Sequence, residues 1–93
     1  MSGLKYDQNK PDYTLLPWRA VLSVVQVLEF GAAKYSRDNW RLVSGHRYLA
    51  AAFRHLIAHA SGETLDPESK LPHLAHCVCC LLFILELDRE IQP

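Results

Sequence analysis

PHLAHCVCCLLFILELDRE, residues 72–90, is the stretch that decides the fold. Pro72 stands where a first helical residue needs no N–H, and it opens a helix expected over about 72–91. Between Cys77 and Leu87 only Glu86 is charged. A helix that is apolar on every side must be covered on every side. Two further helices from a short chain cannot easily do that, so this segment predicts a subunit interface.

Upstream lies GHRYLAAAFRHLIAHAS, residues 45–61, with Ser44 placed to cap it and Gly62 to stop it. Its apolar stripe is expected to be Leu49, Ala52, Phe53, Leu56 and Ala60, with His55 and His59 on a neighbouring face. Another helix is expected over about 17–35, opened by Pro17 and weakened or bent near its end by Gly31. There Val21, Val24, Val25, Leu28 and Ala32 recur at helical spacing. A polar connection over roughly 36–44 joins these two helices. An acidic loop, GETLDPESKL over 62–71, joins the second to the third. Its Asp66-Pro67 pair resists helix, because the residue before proline avoids helical geometry. Residues 1–13, with Gly3 and Pro11, read as an extended arm. The expectation is an all-α fold: one domain over residues 1–93, a small bundle of three main helices with an N-terminal arm, completed by oligomerisation.

The chain has 93 residues, 49% of them apolar, which suits one domain with a thin core. Formal net charge is zero, so no global field favours a nucleic acid polymer or a membrane. Charge is segregated, however. Residues 1–54 carry eight basic against four acidic side chains, a net +4; residues 55–93 carry two against six, a net −4. One half suits phosphates, and the other suits cations or a neighbour's basic half. Cys77, Cys79 and Cys80, an odd number, crowd one helix, where adjacent cysteines point apart, which argues for reduced thiols rather than disulfides. No apolar leader opens MSGLKYDQNK and no stretch is long enough to span a membrane, so a cytoplasmic setting is expected.

Several residues offer chemistry. Glu63, Asp66 and Glu68 are hard oxygen ligands at a loop-to-helix junction, a set suited to Mg²⁺ with water and phosphate oxygens, or equally to a solvated loop. Glu29 closes an apolar run as a metal ligand or a surface group. His55 and His59 have the i, i+4 spacing that lets two imidazoles share an ion, but no HExxH accompanies them. His73, His76, Cys77 and Cys80 line one helix, and four ligands on one straight helix cannot surround a tetrahedral ion. No glycine-rich phosphate loop or nucleophile elbow is present.

The order of three blocks carries further. GLKYDQNKPDYTLLP (3–17), LEFGAAKYSRDNW (28–40) and FRHLIAHASGETLDPESKLPHLAHCVCCLLFILEL (53–87) together resemble the phage-encoded dATP/dGTP diphosphohydrolase-like family, related to the MazG-type and MazZ-type nucleotide pyrophosphohydrolases. The resemblance implies an all-α fold paired across a dimer or tetramer. It also implies Mg²⁺-dependent (or Mn²⁺-dependent) cleavage of a purine deoxynucleoside triphosphate to monophosphate and pyrophosphate, in a bacterial host's cytoplasm. On matched positions it assigns Glu29, Glu63 and Asp66 to metal and catalysis. Lys5, Lys10, Lys34 and Arg54 then contact phosphate. Tyr6 stacks on the base, Tyr35 and Trp40 line the base or pack, Asn39 joins the substrate site, and His55 and His73 support ligands or base. Departures stand out. Gln26 lies three residues before Glu29 and Arg89 three after Glu86, where MazG-type enzymes pair carboxylates; Cys80 replaces an asparagine, and Lys70 a glycine. Two other readings stay open: a nucleotide-binding sponge that sequesters a (cyclic) nucleotide immune signal without cutting it, and a structural oligomer without ligand.

Overall fold

The computed structural model describes residues 3–91. Three helices account for most of the chain: α1 (Trp18–Lys34), α2 (Gly45–Ala60) and α3 (His73–Ile91). Among the described residues there is no strand beyond a lone bridge between Leu65 and Pro72, so the all-α expectation holds. No described helix is long and apolar enough to cross a membrane.

Helix α3 is the axis, lying against α2 along much of its length and against α1 over a shorter stretch. Its two sides are lined with small residues. Ala75 and Cys79 meet Val27 of α1, with Val24, Leu71 and Phe83 at the margin. Cys77 and Cys80 meet Ala52 of α2, with Tyr48 and Ala51 beside them. Alanine and cysteine in a seam let helix backbones approach closely, but each buries little area, so the core is thin. Burial, followed by the neighbouring Cys80, pushes the Cys79 thiol up to about 12. Burial likewise pushes Cys80 up to about 11. All three cysteines are free and buried, and Cys79 and Cys80 stay protonated and unreactive at neutral pH.

The close seams correct the expected stripes. On α2 only Ala52 of the expected set is buried; Leu49, Phe53 and Leu56 are exposed, with Ile57 beside them. Tyr48, Ala51 and His55 face inward with Ala52 instead. On α1 the buried residue is Val27, while Val25 and Leu28 face out. On α3 the stripe Leu74, Val78, Leu81, Leu82 and Leu85 is likewise uncovered. The periodicity finds helices correctly, but both faces are apolar, and the small residues win the tight seam.

The helix ends are close to expectation. Pro17 is the cap before α1 rather than its first residue, and its carbonyl accepts from Val21 N at 3.1 Å. Gly31 does not interrupt α1. Ser44 caps α2 by position, without a hydroxyl bond to the helix. Between α1 and α2, Asn39–Leu42 form a 3-10 turn inside the polar connection expected over roughly 36–44. That turn is pinned by aromatic packing. Trp40 stacks on Phe83 of α3 at 4.5 Å and 10°, Tyr48 leans on Phe83 at 5.0 Å, and the Tyr48 hydroxyl donates to the Trp40 carbonyl at 3.1 Å.

Phe83 therefore joins three elements. Phe83→Ala should cost about 3 kcal/mol, the low end for a half-buried aromatic. A domain of this size would then melt more than about 10 °C lower. Thermal denaturation followed by far-UV circular dichroism measures this; a drop of only a degree or two would mean the stack contributes little.

Candidate functional site

The loop between α2 and α3 is built by local rules. Gly62, at φ +99°, takes the left-handed conformation that ends α2. Gly62 N then donates to His59 O at 3.0 Å and Glu63 N to Ala58 O at 3.0 Å, the paired bonds of a Schellman cap. This fixes Glu63 where the chain leaves the helix. Next, Asp66 closes the DPES turn: its Oδ2 accepts Ser69 N at 2.8 Å and its carbonyl accepts Lys70 N at 2.8 Å. His73 N donates to Thr64 O at 2.9 Å, tying the start of α3 to the loop.

Lys70 sits at φ +63°, a conformation costing a side-chain-bearing residue about 1 kcal/mol over glycine. It occupies the position where the resemblance has glycine. Lys70→Gly should therefore raise stability by about 0.5–1 kcal/mol. Chemical denaturation would register this as a higher midpoint; a lower one would mean that the lysine stem makes compensating contacts.

On this frame a histidine cluster forms. His73, only 4% exposed, places Nε2 2.6 Å from Glu63 Oε1. Its other nitrogen, Nδ1, lies 2.8 Å from Nδ1 of His55 on α2. His76 stacks on His55 at 4.6 Å and 12°, and its Nε2 lies 2.7 Å from Ser69 Oγ and 3.9 Å from Asp66 Oδ2. Burial holds the His55 pKa below its ordinary value, with His76 and His73 adding to the effect. Burial does the same for His76. Burial by itself raises Asp66, but hydrogen bonds from Ser69 and the nearby His76 and His55 outweigh it and leave the carboxyl below the usual range. Asp66 is thus ionised beside neutral imidazoles.

The cluster forms one side of a cleft of about 1250 Å³. Of the residues singled out in the sequence, Glu29, Lys34, Tyr35, Asn39, Trp40, Arg54, His55, Asp66, Glu68, His76 and Cys80 line it. Their surroundings differ. Lys34 pairs with Glu68 at 2.6 Å, both exposed, and lies 5.3 Å from the Tyr35 ring, which is 64% exposed and open to stacking. Trp40 is engaged by Phe83 and by Arg41, whose guanidinium lies 4.4 Å from its ring, so it packs. Arg37, Arg47 and Tyr48 also line the cleft, and nothing in their spacing marks them out beyond the basic bias of that half.

Two expectations change. Lys5, Tyr6 and Lys10 lie on the exposed arm and contribute nothing to the cleft wall. Leu4 and Tyr6, more than 80% exposed, make no apolar anchorage that would fold the arm back. Glu29, Glu63 and Asp66 do not converge as one ligand set either. Among the described residues, the group whose ligand atoms come together is His55, Asp66 and His73. Glu63 is instead the carboxylate behind His73.

The family model described as dATP/dGTP diphosphohydrolase, N-terminal, matches residues 1–92. A dATP/dGTP diphosphohydrolase of Salmonella phage PMBT28 is 37% identical over 87 residues, covering 94% of this chain and 30% of its own length. The chain thus spans less than a third of that relative. No solved structure matches it.

Proposed function

Since the chain belongs to the dATP/dGTP diphosphohydrolase N-terminal family, we propose that it binds a purine (deoxy)nucleoside triphosphate in this cleft and takes part in its hydrolysis to monophosphate and pyrophosphate. The observation that carries the reading is the composition of the cleft wall. Lys34, Arg37, Arg47 and Arg54 supply positive charge for phosphates, the open Tyr35 ring supplies a stacking face, and ionised Asp66 shares the wall with His55 and His76. Arginine forks match phosphate oxygens in pairs, and an open tyrosine accepts any base.

The Mg²⁺ or Mn²⁺ dependence implied by the resemblance meets a poor cradle. Glu63 is held by His73, and Glu29 stays apart from the group that converges. No step is therefore routed through a three-carboxylate magnesium site. A magnesium ion that arrives as part of the nucleotide is substrate, and Glu29, Asp66 and Glu68 on the wall are available to its water shell.

A second copy of the chain completes the fold in this reading. The chain exposes 7677 Å², where a folded monomer of its mass exposes about 5500 Å². Its radius of gyration is 16.4 Å, against about 12 Å for a compact domain of this length. The uncovered leucine stripe of α3 and the apolar face of α2 supply what a homo-oligomeric interface needs.

The non-converging carboxylates favour a second reading, a sponge that holds a linear or cyclic nucleotide intact. One experiment separates the two: mass spectrometry of the protein incubated with dNTPs, NTPs and cyclic di- and trinucleotides, with and without Mg²⁺. Monophosphate and pyrophosphate are the products expected of the hydrolase. A nucleotide that binds and returns unchanged on denaturation establishes the sponge, and absence of both binding and turnover removes both readings.

A further inference from the structure

We infer that His55, His73 and Asp66 form a binding site for a borderline transition-metal dication of the Zn²⁺, Fe²⁺ or Co²⁺ class. The proposal concerns the cleft assigned above, but it does not rest on nucleotide turnover, and its test uses no nucleotide.

Three separate elements supply the donors: α2 gives His55, the DPES turn gives Asp66 and the start of α3 gives His73. Their ligand atoms lie within 4.8 Å of one another. Two imidazoles and one carboxylate, with remaining positions open, is the donor set of metal sites that keep an exchangeable ligand. Imidazole nitrogen suits transition metals, whereas Mg²⁺ prefers oxygen and holds its water.

Hydrogen bonding prepares the donors. The 2.6 Å contact with Glu63 orients the His73 ring with Nε2 toward a carboxylate oxygen and Nδ1 toward His55; with Nε2 as the donor, Nδ1 keeps a lone pair for a metal. That lone pair faces His55 Nδ1 at 2.8 Å, so one proton bridges the two rings. An ion in place of that proton needs the nitrogens about 3.4 Å apart at tetrahedral geometry and bonds of ~2.1 Å, an opening of about 0.6 Å. His55 then carries its own proton on Nε2. Carboxylate behind histidine behind metal is the usual way a ligating ring is oriented, which makes Glu63 a positioning residue rather than a ligand. Asp66 is fixed in turn by Ser69 N at 2.8 Å. His55 and Asp66 both line the cleft, so the open coordination positions face the space given to phosphate.

The test is titration of metal-free protein with Co²⁺, followed by calorimetry and visible absorption, then competition with Zn²⁺ and Mg²⁺. One Co²⁺ per chain is expected, with the absorption of low coordination number, displaced by Zn²⁺ and left in place by excess Mg²⁺. His55→Ala should weaken binding more than about 100-fold and change the spectrum, as loss of a ligand does. Glu63→Gln should weaken it by about 10–100-fold while leaving the band shape intact, the mark of a group acting through His73. His59→Ala, one turn from His55 and exposed, should bind as the unaltered chain does. Failure of the unaltered chain to take up Co²⁺, or displacement by Mg²⁺ at equal concentration, overturns the proposal with no variant involved. Wild-type binding by a folded His55→Ala chain overturns it equally. None of these outcomes bears on whether nucleotide enters the cleft.

Discussion

Asp66→Asn should abolish nucleotide turnover while leaving the fold in place. The amide retains an oxygen that accepts Ser69 N, so the DPES turn keeps its 2.8 Å bond, and the carbonyl bond to Lys70 is untouched. What disappears is the negative charge, which hydrogen bonds and the adjacent histidines keep ionised in spite of burial. Removing one electrostatic group from a preorganised site slows reactions by roughly 100-fold or more. The structural cost should stay within about 1 kcal/mol, since one hydrogen bond to a charged acceptor becomes one to a neutral acceptor. Pyrophosphate release from dATP and dGTP, measured beside a thermal melt, separates the two effects. Full turnover in a folded Asp66→Asn chain removes this carboxylate from the chemistry. Loss of turnover together with a collapsed melt gives the carboxylate a structural role instead. Asp66→Ala then provides the contrast, because it deletes both charge and turn and should also lower the melting temperature.

What was legible in the sequence and what was not divide along physical lines. Helix α3 was legible because it starts directly after Pro72 and its stretch from Cys77 to Leu87 carries a single charge, which are local facts. So were the stop at Gly62 and the turn at Asp66-Pro67, because φ preference and side-chain capping act within a few residues. The direction of each helix face was not legible. Leu49, Phe53 and Leu56 have the helical spacing of a core stripe, yet Ala51, Ala52 and His55 took the inside, because α2 and α3 approach closely enough to admit only small or flat groups. The histidine cluster was hidden for a related reason. His55 and His59 share a helix, as do His73 and His76, and spacing directs attention to such pairs. The pairing that forms is between helices, through a loop whose Schellman cap sets Glu63 within reach of His73. Of the resemblance-matched residues, those on α1, α2 and the turn reached one cleft, but the arm with Lys5, Tyr6 and Lys10 did not.

Leu82→Asp should leave the protein as single chains of 10.6 kDa, where the homo-oligomer proposed above has a multiple of that mass by light scattering. The argument starts from area. The chain exposes about 2200 Å² beyond a compact monomer, a surplus shared between the extended arm and the uncovered apolar faces, and a standard interface buries roughly 800 Å² per partner. Leu82 lies within the uncovered stripe that also carries Leu74, Val78, Leu81 and Leu85, and no basic residue interrupts that stripe. A carboxylate pressed into such a seam has no partner and must be desolvated, at a cost of several kcal/mol per site. In a two-fold interface the same charge enters from both copies and the penalty doubles. Within one chain the substitution is mild, because Leu82 is already exposed and aspartate replaces it on a helix surface. Helix content should therefore persist at low temperature while the thermal midpoint falls and loses its dependence on concentration. Retention of the assembled mass by the Leu82→Asp chain would place the interface elsewhere, with the apolar face of α2 the next surface to substitute. A mass of one chain for the unaltered protein would show instead that the thin seams of alanine and cysteine suffice on their own.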